Sequence, residues 1–187
     1  MTSLAGNAAL TQNHFELFSL PISFTVDRQQ LSANFRALQQ SVHPDRYANA
    51  SAQEKRLSVQ RAAQINEAHQ VLKSPQRRAR YIIELQGVVF DDQANPVMEP
   101  MFLMQQMELR EALADVKSKA DPESELDKIL AALKTAKKDI LDKLAEQLNT
   151  PATADLDKAS LLMHELQFLD KLQSESEVIE EELMDSL

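Results

Sequence analysis

The chain of 187 residues has no cysteine. Disulfides, thiolate-held zinc, Cys-ligated iron–sulfur clusters and a cysteine nucleophile are thereby excluded. Its two glycines, Gly6 and Gly87, are too few and too far apart for a Gly-rich phosphate loop, a dinucleotide-binding turn or a nucleophile elbow, which argues against most nucleotide enzymes. Apolar runs are only a few residues long, far below the roughly 18 needed to span a bilayer, so a soluble protein with no membrane partner is expected. Residues 1–12, MTSLAGNAALTQ, lack a basic n-region and an apolar h-region. They read as a flexible tail rather than an export signal, and a cytoplasmic location is the expectation.

What is present points to a folded helical protein. Hydrophobic residues make up 43% and charged residues 26%, enough to bury a core. The formal net charge of −9 disfavours nucleic acid as a partner. That charge is unevenly shared: residues 1–86 carry ten Lys/Arg against six Asp/Glu, whereas residues 87–187 carry ten against twenty-three. Two surfaces with different partners follow, the first seeking acidic ground and the second basic ground. The segment GVVFDDQANPVMEP, with Gly87, Pro96 and Pro100, interrupts strong helical periodicity on both sides. The division expected is a domain over 13–86, a linker over 87–99 and a second domain over 100–187.

In the first domain Asn13 caps a short helix to Leu20, which Pro21 stops. Asp27 caps a second helix to about Val42, with Leu31, Phe35, Leu38 and Val42 on one face. It must end at His43-Pro44-Asp45, and a loop follows as far as Asn49. Ser51 and Glu54 form a capping box for a long third helix carrying Leu57, Ile65, Ala68 and Leu72. Ser74 ends it, and Pro75 begins a fourth helix with Ala79, Ile82, Ile83 and Leu85, stopped by Gly87. The two long helices should pack antiparallel and hold the His-Pro-Asp turn at one end.

A short helix, an amphipathic helix running into His43-Pro44-Asp45-Arg46, and a long helix carrying Ile65-Asn66-Glu67-Ala68 resemble the J-domain of DnaJ-type co-chaperones. The resemblance implies docking onto a DnaK-type ATPase, with His43, Pro44 and Asp45 at the contact that accelerates ATP hydrolysis and with Arg36 and Arg46 beside it. The second helix departs from general J-domains: its basic residues are only Arg28 and Arg36, among Gln29, Gln30, Gln39 and Gln40. Weaker steering of this kind implies a dedicated ATPase.

The second domain reads as a three-helix bundle: Pro100 to about Lys119, Asp121 to about Asn149, and Pro151 to about Met184. Leu126, Leu130, Leu133, Ile140, Leu144 and Leu148 form a stripe on its middle helix. The first helix has two apolar arcs. At about 100° per residue, Leu109, Leu113 and Val116 fall within about 40° of Phe102 as a core stripe, while Leu103, Met104 and Met107 lie between about 100° and 200° away. Glu108, Glu111 and Asp115 edge that second arc. It should face outward as a partner surface, against the alternative of a broad arc that serves only the core. In the last helix Phe168 and Leu169 cannot share one narrow stripe.

FLMQQMELREAL and LQFLDKL resemble the C-terminal domain of the HscB family, the J-proteins of bacterial iron–sulfur cluster assembly. With the J-domain, the resemblance covers nearly the whole chain after the tail. It implies a non-enzymatic co-chaperone for the ATPase HscA, with the cluster scaffold IscU bound through Leu103, Met104, Met107, Glu108, Glu111, Asp115 and Phe168. The missing N-terminal Cys pair implies the bacterial form. Neither a cofactor nor a metal site is expected, because His14, His69 and His164 lie on separate elements as surface or packing residues. A monomer is expected. Arg77, Arg78 and Arg80 read as a solvated basic face, and the acidic terminus ESEVIEEELMDSL receives no site. The competing readings are a J-protein for another client and a helical adaptor in which His-Pro-Asp is only a turn.

Overall fold

The computed structural model describes residues 12–47, 50–94 and 96–185. The expected tail lies outside them except for Gln12. Among the described residues the fold is all-α, with seven α-helices and no strand. They fall into two compact units, one holding the residues up to Gly87 with Leu148–Ala152, the other Val88–Gln147 with the residues from Thr153.

In the first unit, α1 (His14–Leu17) opens on a reciprocal cap in which Asn13 Oδ1 accepts from the Glu16 amide at 2.9 Å and Glu16 Oε2 from the Asn13 amide at 3.0 Å. It is shorter than the expected run to Leu20. Ser19 sits at φ 52°, a left-handed conformation that ends a helix. α2 (Arg28–Ser41) begins where Asp27 Oδ1 accepts from the amides of Gln29 and Gln30 at 2.8 and 3.2 Å. α3 (Ala52–Lys73) carries the Ser51/Glu54 capping box, and α4 (Pro75–Leu85) has Pro75 in its first turn. Gly87, at φ 86°, donates to the Glu84 carbonyl at 2.9 Å, the left-handed stop that favours glycine.

The hairpin of α2 and α3 closes over a core of Phe15, Phe18, Leu31, Ile65, Leu72, Ile82 and Ile83. Each such side chain contributes about 1.5–3 kcal/mol by leaving water. Phe35 and Leu38 are only half-buried; the Phe35 ring stacks on His69 at 4.0 Å, and His14 stacks on Tyr81 at 4.2 Å. Arg78 corrects the expected solvated face. It is buried, with Nε donating to the Phe24 carbonyl at 2.6 Å, Nη1 to the Leu72 carbonyl, and its guanidinium over the Phe24 ring.

The second unit contains α5 (Pro100–Asp115), continued by a 3₁₀ turn over Val116–Ser118, α6 (Pro122–Leu148) and α7 (Leu156–Met184). The expected third bundle helix begins at Leu156 rather than Pro151. Pro151–Thr153 form a separate 3₁₀ turn, and Asp155 starts the helix by accepting from the Lys158 amide at 3.0 Å. Leu126, Leu133, Ile140 and Leu144 of α6 are buried, as are Leu162, Leu166, Leu169 and Leu172 of α7, while α5 contributes Leu113 with Val116 beyond its end. Phe102 and Leu109, expected in the same stripe, are half-buried. Ahead of α5, Phe90 is buried and stacks on His164 at 4.5 Å.

Candidate partner-binding sites

The first site is the turn between α2 and α3. Val42 is buried and anchors the end of α2, its amide donating to the Gln39 carbonyl at 3.3 Å. Proline at 44 then forbids continuation. In place of the open loop expected, Pro44–Tyr47 form a 3₁₀ turn, closed by the Arg46 amide on the His43 carbonyl at 3.0 Å. His43 Nδ1 accepts from the Asp45 amide at 3.3 Å and lies 3.5 Å from Asp45 Oδ2. Below the turn, Gln39 Nε2 donates to Asn66 Oδ1 at 2.7 Å and ties the two long helices together.

The turn is hydrogen-bonded in backbone and open in side chain. His43 and Asp45 side chains are 60% and 91% exposed, and Arg36 and Arg46 are exposed as well. Among the described residues neither arginine is held in an ion pair. A carboxylate, an imidazole and two guanidinium groups are therefore presented to a partner by the turn and the helix that leads into it.

The second site is the outer face of α5. Leu103, Met104 and Met107 are 44%, 58% and 62% exposed, and Glu108, Glu111 and Asp115 are exposed beside them. Exposed thioethers bordered by carboxylates make a surface that adapts its shape and favours a basic partner. Met101 is exposed too and extends the strip toward the N-terminal end of α5. It was legible on the helical wheel, about 100° from Phe102 on the side opposite Leu103. Phe168 of α7 is half-buried: Phe102 meets its ring edge-on with centroids 6.4 Å apart, and Arg110 lies over it at 5.2 Å. Arg110 is in turn 4.0 Å from Glu175.

Two groups on the inner side of α5 have no counterpart in the sequence reading. Gln106 and Glu165 are each only 6% exposed and line a groove shared by α5, α6 and α7. Burial pushes the Glu165 carboxyl above its ordinary range, Glu99 adds to the effect and Lys143 opposes it. A polar Gln106 about 40° from Phe102, inside the core arc, was the available signal. Among the described residues no cluster of side chains could hold a metal ion, and no helix is long and apolar enough to cross a membrane.

Comparison with known proteins gives two family matches, a DnaJ domain over residues 14–81 and an HSCB C-terminal oligomerisation domain over residues 98–177. The chain is 42% identical over 171 residues to a co-chaperone protein HscB homolog of Shewanella loihica, covering 91% of this chain and 99% of that one. A homolog from Aliivibrio salmonicida is 44% identical over 172 residues, covering 92% and 99%. Among solved structures, the chaperone HscB of Vibrio cholerae superposes with a TM-score of 0.77 at 43% identity, covering 92% of this chain and 99% of that one. The human co-chaperone protein HscB superposes at 0.80 with 25% identity, covering 91% and 83%.

Proposed function

The chain belongs to the HscB family of J-domain co-chaperones, and from that premise we propose that it stimulates ATP hydrolysis by a dedicated DnaK-type chaperone, HscA, and delivers an IscU-type scaffold to it for iron–sulfur cluster assembly and transfer. The observation that carries this reading is the outward strip of Leu103, Met104 and Met107, edged by Glu108, Glu111 and Asp115, on a chain whose other unit presents His43 and Asp45 to solvent. The chain itself is no enzyme; the ATPase performs the chemistry.

Asp45 would accept charge-assisted hydrogen bonds from an arginine of the ATPase, with Pro44 holding the turn and Arg36 and Arg46 meeting acidic ground on it. The scaffold would seat its apolar surface on the methionines and Phe168, and its basic groups on the carboxylates. One chain holding both partners raises their effective concentration, so modest affinities suffice. We place this activity in the bacterial cytoplasm and assign it to a monomer, a state that sedimentation equilibrium checks. The test is calorimetric titration of the full chain with IscU-type scaffold, paired with the steady-state ATPase rate of HscA in its presence. Stimulation without scaffold binding would leave a J-protein for a different client, and neither would remove the co-chaperone reading.

A further inference from the structure

The groove behind the methionine strip holds about 860 Å³ and opens between α5 and α6, with α7 beneath. Its apolar walls include Phe102, Leu109 and Leu169. Its two buried polar groups are both uncommitted. Gln106 Nε2 is sealed from solvent with no hydrogen-bond partner, and the Glu165 carboxylate makes neither a hydrogen bond nor an ion pair among the described residues. Lys143 lines the same groove without reaching ion-pair distance of Glu165. Unlike Gln106 Nε2, the Glu165 oxygens are not sealed from solvent, so a ligand in the groove can reach a carboxylate that no protein donor holds.

The missing partner has a definable chemistry. Glu165 lacks a protein donor, so the complement carries a cationic donor. Glu99, Glu108 and Asp139 stand at the groove with Lys143 as the single cation, which sets the sign of the occupant. Phe102 offers an aromatic wall on which a flat, weakly hydrated cation can lie. We propose that this groove receives one arginine side chain of the scaffold client, its guanidinium on Glu165 and against the Phe102 ring. This rests on the client-binding reading of α5 and deepens it: the outer methionine strip supplies adaptable apolar contact, and the inner groove supplies a fixed polar anchor that selects for a basic residue.

The test uses the full chain with glutamine side chains labelled for NMR, titrated with Nα-acetyl-arginine amide and, separately, with Nα-acetyl-citrulline amide, its neutral counterpart. The expected result is displacement of the Gln106 side-chain amide signal by the arginine probe, little by the citrulline probe, and none by either in Glu165→Gln. Calorimetry with IscU-type scaffold should then show about a tenfold or greater loss of affinity in Glu165→Gln. Equal responses to both probes, or undiminished scaffold binding by Glu165→Gln, would overturn the groove while leaving the function standing. Failure of the wild-type chain to bind scaffold would withdraw the client reading and the groove's assignment with it. The citrulline comparison on the wild-type chain needs no variant to fold.

Discussion

His43 and Asp45 are coupled across Pro44: the imidazole Nδ1 accepts the Asp45 amide at 3.3 Å and stands 3.5 Å from its carboxylate. With Nδ1 turned to the Asp45 amide, Nε2 is the ring nitrogen left to face a partner. Histidine thus holds the Asp45 backbone and remains a contact itself. Replacing His43 by Gln, or Asp45 by Ala, should abolish stimulation of the HscA ATPase. Both side chains are exposed, so the unfolding free energy should stay within about 0.5 kcal/mol of wild type. ATPase assays beside thermal unfolding check both parts.

The methionine strip separates binding from stability in the same way. Met104 and Met107 project into solvent, and the Met104→Ser/Met107→Ser double variant should lose scaffold binding by calorimetry while unfolding as the parent does. Phe168→Ala should do otherwise. Its ring packs against Phe102 and beneath Arg110, so its removal should lower stability by about 1 kcal/mol as well as weaken binding.

The stacked histidines give the first unit a pH dependence. Burial lowers the pKa of His14 below 6.5, with Glu67 opposing, and burial lowers that of His69 below 6.5 with help from Lys73. A folded-state pKa below the unfolded value means that the unfolded chain binds protons first on acidification. Stability from these two residues is therefore present above about pH 6.5 and is lost as pH falls through 6.5 toward the lowered folded values. Denaturant midpoints should drop over that interval, and His14→Phe/His69→Phe should flatten the drop. An unchanged slope in the double variant would remove the histidines as its cause.

How much of this was legible in the sequence follows from whether the signal is local. Asn13, Asp27 and Ser51 cap the helices their sequence announces, because a cap is satisfied by amides two or three residues away. The outward strip of α5 was legible for the same reason: Leu103, Met104 and Met107 share a face by helical geometry alone. Ser19, whose left-handed turn shortens α1, carries no such mark, since serine does not advertise a positive φ. Arg78 and Glu165 were illegible because their surroundings come from distant segments, Phe24 for one and α5 for the other.

Arg78 therefore supplies the sharpest test of the first unit. Its guanidinium joins two segments that the sequence separates widely, the Phe24 carbonyl ahead of α2 and the Leu72 carbonyl near the end of α3, and it covers the Phe24 ring at 5.0 Å. Burial, aided by the nearby Arg28, lowers its pKa to about 10, so it remains a cation at neutral pH and holds both carbonyls with charged donors. Hydrogen bonds from charged groups contribute about 1.5–3 kcal/mol, and removing the donor leaves the carbonyls unpaired. Arg78→Met keeps most of the apolar volume and loses every donor, and should destabilise the chain by about 2–3 kcal/mol in urea unfolding. Arg78→Lys should recover only part of that, because one ammonium lacks the planar fork that reaches two carbonyls while lying over a ring. A methionine variant as stable as the parent would show instead that packing around Phe24, and not the carbonyl bonds, holds this end of the hairpin closed.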